Sequence, residues 1–382
     1  MTAGRQTRIL IVDDSAVMRS LLRSVVLTDA GMEVAGTAAD GASALSCLET
    51  LRPDLILLDV EMPVMDGVAT LKELRKRAHR IPVIMCSSLT QRGAAVTIEA
   101  LAEGASDYVA KPAGQPSREV AIRTLAENLL PKIHALTRQS PLPPDFPGPG
   151  RSPLMFPLAL PPPLMAQPVL SVPQVLAIGV STGGPAALDV LLPALPANFP
   201  LPVLIVQHMP ESFTGLFAER MNGRCKLRVC EASEGAPVCA GTIYIARGNW
   251  HMEVLATASV GSPARLHLSQ GPVENQCRPS VDVLLRSAAR VYGAGVLAMM
   301  LTGMGSDGML GCRAVCGRGG CVLAQDQATS TVWGMPGAVV HAGLAHKVLP
   351  LCGLVPEILC LANRTRGEAS ELLRGIHRSA VS

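Results

Sequence analysis

Aromatic side chains are scarce, at 3% of the 382 residues. Cores must therefore be packed from aliphatic residues, which suits parallel α/β sheets buried on both faces. An excess of one charge is missing too. The 33 basic and 30 acidic residues are interspersed and leave a net charge of only +3. No electrostatic footprint for nucleic acid or an anionic membrane results, and no nucleic-acid partner is expected. The eleven cysteines form no C-x-x-C pair, and no secretory leader is expected ahead of them. They read as reduced thiols of a cytoplasmic protein. Cys312, Cys316 and Cys321 are close in sequence but have no His-x-His or acidic ligand beside them, so zinc is not expected there. Charge is absent altogether between Ser152 and Leu188. Prolines break that stretch, Pro161-Pro162-Pro163 at its middle, so it holds no uninterrupted apolar window of about 20 residues. No membrane insertion is expected.

The length suits two ordinary domains. The chain is organised around Ile178-Gly179-Val180-Ser181-Thr182-Gly183-Gly184, an apolar run that ends in glycine and turns through a serine into a helix-like stretch at 185–192. Such a turn holds a hydroxyl beside the free N–H groups of a helix N-terminus. It can cradle a phosphate, or present a nucleophile with an oxyanion site beside it. The turn alone does not separate these two readings.

In the first domain, 5–137, strands are predicted at 8–12, 33–37, 54–58, 82–86 and 107–110. Helices are predicted between and after them at 15–27, 42–51, 66–77, 93–103 and 118–136. The alternation argues a doubly wound parallel sheet, whose working groups lie beyond the carboxyl ends of the strands. Asp13, Asp14, Asp59, Ser87 and Lys111 all fall there. Carboxylates converging on one point repel each other, so the cluster makes sense around a hard divalent cation such as Mg2+. One of them could then accept a phosphoryl group, with Lys111 and Ser87 to hold it.

Val12-Asp13-Asp14-Ser15, Leu57-Leu58-Asp59-Val60-Glu61-Met62-Pro63-Val64-Met65-Asp66-Gly67 and Lys111-Pro112 resemble a response-regulator receiver domain of the flavodoxin-like fold. The resemblance implies Asp59 as phospho-acceptor and Asp14 as a Mg2+ ligand assisted by Asp13. It adds a backbone carbonyl from Glu61, with Ser87 and Lys111 sensing the phosphate. Tyr108 matches the aromatic that reports phosphorylation in that family, or is a half-buried strand aromatic.

Residues 138–173 are Pro-rich and aperiodic, as expected of a linker without a core of its own. In the second domain, 174–363, strands are predicted from 175, at 202–206 and at 296–301, with helices at 211–221 and 281–291. Short strands are predicted at 226–230, 242–246, 251–255 and 265–268, and residues 364–382 are left as a tail. A second, Rossmann-like parallel sheet with a strand-rich insertion fits best. Ser181, His208 and Asp307 each follow an apolar strand, which puts a serine, a histidine and an aspartate on one rim, the parts of a nucleophilic triad. His251, also near a strand end, competes as the base. The order Ser, His, Asp differs from that of α/β-hydrolases, so the triad would be an independent one.

Gly179-Val180-Ser181-Thr182-Gly183-Gly184, Gln207-His208-Met209-Pro210, Arg278-Pro279-Ser280-Val281-Asp282, Leu301-Thr302-Gly303-Met304-Gly305-Ser306-Asp307-Gly308 and Gly334-Met335-Pro336-Gly337-Ala338 resemble the catalytic domain of the chemotaxis protein-glutamate methylesterases. With a receiver in front, the whole chain is similar to a CheB-type methylesterase. The resemblance implies Ser181 as nucleophile, His208 as base, Asp307 as its orienting carboxylate, and oxyanion N–H groups near Thr182 and Met304. It also implies a phosphorylation-controlled esterase acting on methylated chemoreceptors, with glutamine deamidation through the same acyl-enzyme and no cofactor for hydrolysis. A chemotaxis histidine kinase would donate the phosphoryl group, and a monomer is expected. Cys277 departs from the pattern, standing where many relatives have histidine, and Ser306 where asparagine is frequent. The alternatives are a regulator whose second domain only binds a partner, and a nucleotide-binding enzyme, which lacks its Walker lysine and ribose carboxylate.

Overall fold

The structure is a computed structural model describing residues 5–77, 79–88, 90–112, 114–137, 171–257 and 261–363. Most of the Pro-rich linker and the tail at 364–382 lie outside the described residues.

The first half alternates without interruption: β1 (Thr7–Val12), α1 (Ala16–Val26), β2 (Met32–Ala38), α2 (Gly41–Leu51), β3 (Leu55–Asp59), α3 (Gly67–Lys76), β4 (Val83–Ser87), α4 (Gln91–Ala102), β5 (Asp107–Ala110) and α5 (Arg118–Thr137). Its five strands lie in the order β2-β1-β3-β4-β5, all parallel. The order reverses beside β1 and β3, which puts Asp13 and Asp59 at the crevice where such sheets bind ligands. The helices start on short polar caps. Ser15, Asp40, Asp66 and Thr90 accept the N–H groups of Met18, Ser43, Ala69 and Gly93, satisfying donors that would otherwise be orphaned.

The second half runs β6 (Val175–Val180), α6 (Gly184–Leu191), β7 (Val203–Gln207), α7 (Glu211–Asn222), β8 (Arg228–Glu231), β9 (Thr242–Ile245), β10 (His251–Leu255), β11 (Arg265–Ser269) and α8 (Val281–Tyr292). It continues through β12 (Val296–Met300), α9 (Met309–Gly317), β13 (Cys321–Gln325), α10 (Met335–His341), β14 (Lys347–Leu349) and α11 (Leu351–Ala362). Seven strands form one parallel sheet in the order β14-β13-β12-β6-β7-β9-β8. The central strands are buried along their whole length, as aliphatic parallel strands must be. Of the four short strands expected as an insertion, β8 and β9 extend the main sheet, while β10 and β11 pair antiparallel beside it. β6 lies between β12 and β7, so the loops after these three strands meet on one rim.

β3 and β4 run one residue further than apolarity indicates. Asp59 pairs with Cys86 and Ser87 with Ala110 inside the ladder, because backbone pairing does not stop where the side chain turns polar. The two halves are packed together. α4 lies against α6 and α7, and the Tyr108 ring stacks on Phe213 with centroids 4.8 Å apart.

Candidate active site

The turn after β6 is built to bring backbone close to a serine. Gly183 caps α6 with φ of 75°, a conformation that a Cβ disfavours. The Ser181 N–H donates to Thr302 O at 3.0 Å, and its own carbonyl accepts from Gly184 N–H and from Gln207 Nε2. The loop after β12 presses on this turn. A Cβ on Gly303 would lie 2.4 Å from Met335 Sδ and 2.9 Å from Ser181 Cβ, so only glycine allows the approach. The Thr302 hydroxyl bridges the loops by donating to Thr182 O at 2.9 Å.

Asp307, buried at 2% exposure, is fixed by the start of α8. Val281 and Asp282 donate their N–H groups to its oxygens at 2.7 and 3.2 Å, Ser280 Oγ donates at 2.7 Å, and Asn275 Nδ2 at 2.8 Å. A carboxylate at a helix N-terminus is stabilised by free N–H groups and by the helix dipole. His208 lies 2.8 Å away through Nε2. Burial raises the Asp307 pKa, but the hydrogen bond and charge of His208, Ser280 and Val281 outweigh it and hold it at about 2. Burial likewise pulls the His208 imidazole down, while Asp307 and then the Cys277 thiol outweigh this and push it up to about 9.

Asp307 and His208 are thus brought together as read from the sequence. Ser181 is on the same rim, but among the described residues its hydroxyl makes no hydrogen bond. The second ring nitrogen of His208, Nδ1, meets Cys277 Sγ at 3.6 Å. Among the described residues the Thr182 and Met304 N–H groups donate to no protein acceptor. His251 is a different matter: its Nδ1 accepts from Ser280 N–H at 3.2 Å and its Nε2 contacts Pro272 O at 2.9 Å. With both nitrogens engaged and the ring buried, it supports the α8 entrance and is not available as a base.

Sequence reasoning missed several contributors. Asn275 joins Asp307 to Asp282, Gln207 holds the Ser181 carbonyl, and Ser280 donates to Asp307. Ser280 and Asp282 belong to a motif quoted from the sequence, but nothing in the spacing said that it would meet a carboxylate 25 residues on. Asp107 was also missed. Its Oδ2 accepts the Thr182 hydroxyl at 2.6 Å, while Lys132 Nζ lies 2.8 Å from Oδ1.

In the first half, Asp13, Asp14 and Asp59 each offer an oxygen within 4.8 Å of the others. Lys111 Nζ lies 2.8 Å from Asp13 Oδ2 and 2.7 Å from Asp59 Oδ1. Among the described residues the buried Asp13 Oδ2 has no polar partner besides this ammonium. Burial pushes the Asp59 carboxyl up, Lys111 opposes and the Asp13 charge adds. Burial pulls Lys111 down, but Asp13 and Asp59 outweigh it and leave it raised. Three carboxylates and one ammonium fall short of neutrality, and a divalent cation fits this donor set. The Ser87 hydroxyl is turned the other way, toward Ser88 O and Gly93 O, both at 3.1 Å. The Glu61 side chain pairs outward with Arg92 at 3.1 Å. Tyr108 is buried at the contact between the two halves.

Comparison with known proteins gives two family matches, the CheB methylesterase family over residues 176–358 and the response regulator receiver domain over 9–123. A protein-glutamate methylesterase/protein-glutamine glutaminase of a Nocardioides species is 47% identical over 94% of this chain and 96% of its own length. The protein of the same description from Trichodesmium erythraeum is 45% identical over 92% of this chain and 98% of its own length. Among solved structures, the Thermotoga maritima CheB methylesterase catalytic domain is 40% identical, with a TM-score of 0.48, covering 50% of this chain and 98% of that one.

Proposed function

We infer the reaction from one premise: the chain belongs to the CheB methylesterase family and carries a response regulator receiver domain ahead of its esterase domain. It is a protein-glutamate methylesterase and protein-glutamine glutaminase, controlled by phosphorylation of the receiver. A regulator whose second domain merely binds a partner is not favoured.

Ser181 attacks the γ-carbonyl of a glutamate methyl ester, His208 takes its proton through Nδ1, and Asp307 stabilises the imidazolium through Nε2. The Thr182 and Met304 N–H groups receive the developing oxyanion, each contributing on the order of 3 kcal/mol. His208 passes the proton to the departing methoxy oxygen, releasing methanol, or to the departing amide nitrogen of a glutamine, releasing ammonia, and water then hydrolyses the acyl-enzyme to free the glutamate. What supports the assignment is the 2.8 Å His208–Asp307 pair beside a serine turn whose neighbouring N–H groups donate to no acceptor among the described residues. For Nδ1 to take the proton, it must exchange the Cys277 thiol for the Ser181 hydroxyl.

Receiver phosphorylation is Mg2+-dependent, and Asp13, Asp14 and Asp59 with the Glu61 carbonyl would hold the ion, which offsets phosphoryl charge when bound. Asp59 accepts the phosphoryl group and Lys111 pairs with it. The Ser87 hydroxyl would turn from Gly93 O to the phosphate, giving up its own contact with the first turn of α4, the helix packed on α6 and α7. The substrates are methylated chemoreceptors, the donor a chemotaxis histidine kinase, and the protein works as a cytoplasmic monomer. No helix among the described residues is long and apolar enough to cross a membrane.

An organophosphonate ester analogue, followed by peptide mapping, tests the assignment. The label should appear on Ser181, vanish in Ser181→Ala and slow sharply in His208→Ala. Labelling elsewhere, or undiminished in Ser181→Ala, removes the nucleophile.

A further inference from the structure

The contact between His208 and Cys277 has a geometry that base catalysis does not require. Nδ1 and Sγ are 3.6 Å apart. A zinc ion bound tetrahedrally, about 2.0 Å from an imidazole nitrogen and about 2.3 Å from a thiolate, holds the two donors about 3.5 Å apart. The other ring nitrogen faces the Asp307 carboxylate at 2.8 Å. That carboxylate–imidazole pairing is the one that fixes the tautomer of a metal-binding histidine and raises its basicity. Asp307 is itself held by five further donors, so it orients the ring while the thiol and Nδ1 face the metal. The three side chains offer ligand atoms all within 4.8 Å of one another.

We propose that Cys277 and His208 form a chelating site for a thiophilic divalent cation of the zinc class, with Asp307 behind the imidazole, and that occupancy silences hydrolysis. Cys277 gives its proton to solvent as the metal binds. His208, neutral with its proton on Nε2, supplies the Nδ1 lone pair, and water fills the remaining positions. While Nδ1 is ligated it cannot take the Ser181 proton. Silencing rests on the base assignment made above for His208, but binding does not. The receiver cluster would not compete for such an ion on equal terms, since its donors are all oxygen, which suits hard cations.

Cobalt(II) is the probe, titrated into the reduced full-length protein, because a thiolate ligand gives a near-ultraviolet charge-transfer band and carboxylates do not. The band is expected in the native protein and lost in Cys277→Ser. Cys277→His, which keeps a donor but no sulfur, should still bind cobalt at this site, without the band. No band in the native protein at cobalt saturation overturns the proposal, and so does a band that survives in either folded variant, which would assign it to another thiol. In a second arm, zinc should slow ester-analogue labelling of Ser181, reversibly by chelator, with at least about a tenfold weaker response in Cys277→Ser. A band without zinc inhibition would retain the metal site and discard His208 as the base for Ser181.

Discussion

At the scale of single residues, with His208 as the proposed base, one proton on its ring controls both rate and stability. Its pKa in the fold is raised from 6.5 to about 9. Such a group adds stability that is fully present below its unfolded pKa and is lost as pH rises through the folded one. Hydrolysis needs the neutral ring, so the rate moves the opposite way. Between pH 6.5 and about 9, the hydrolysis rate should climb while the His208 contribution to stability declines. Rate–pH profiles and urea unfolding over this window check it, and a rate already level at pH 7 would refute it. In Asp307→Asn the limb should move back toward an ordinary histidine, and the rate should drop on the order of 10⁴-fold, since the tautomer is no longer fixed. Asn275→Ala is milder. It removes one of several donors to Asp307, a loss of about 1 kcal/mol, or roughly fivefold in kcat.

Among the elements, the loop between β12 and α9 has to reach both Ser181 and the start of α8. Gly303→Ala should fold, because the residue lies in a loop outside the strands and helices, yet lose most labelling of Ser181. The added methyl meets Met335 Sδ at 2.4 Å and the serine at 2.9 Å, closer than packed atoms allow. Circular dichroism with labelling kinetics separates the two effects, and normal labelling would show that the loop yields. Helix α4 makes the second case. Ser87 holds its Gly93 carbonyl from one side and Thr97 Oγ1 donates to the same oxygen at 2.7 Å, so Ser87→Ala should leave the helix in place. Asp59 should still be phosphorylated, but the gain in hydrolysis should shrink. An unchanged gain would mean that the signal does not pass through this hydroxyl.

For the whole molecule, the question is how the receiver face meets the esterase rim. Asp107 takes the hydroxyl of Thr182, next to Ser181, and Tyr108 stacks on Phe213 at the start of α7. A charge-assisted hydrogen bond of this kind is worth about 2 kcal/mol, roughly thirtyfold in a docking equilibrium. Full-length Asp107→Ala should therefore hydrolyse receptor esters faster without phosphoryl donor, and gain less from it. If its basal rate equals that of the native chain, this contact does not restrain the rim. The Lys132 ion pair would lose its partner in the same variant, so Lys132→Met serves as the control for the receiver's own stability.

Much of this protein was determined by local sequence. Uninterrupted aliphatic strands, short polar caps and glycine turns fix two parallel sheets, because backbone ladders and helix ends follow from nearby residues. Chemistry-bearing residues at strand ends then fall on one rim, whichever helices intervene, and so Ser181, His208, Asp307, Asp59 and Lys111 were legible. What only the tertiary structure decided depends on residues far apart in the chain. Asn275, Ser280 and the α8 start converge on Asp307, and both nitrogens of His251 are used up by Ser280 and Pro272. Cys277 arrives at His208 Nδ1 across 69 residues, and Asp107 reaches Thr182 across 75. No periodicity carries such contacts, because they are set by how whole layers pack and not by the spacing of side chains along one element.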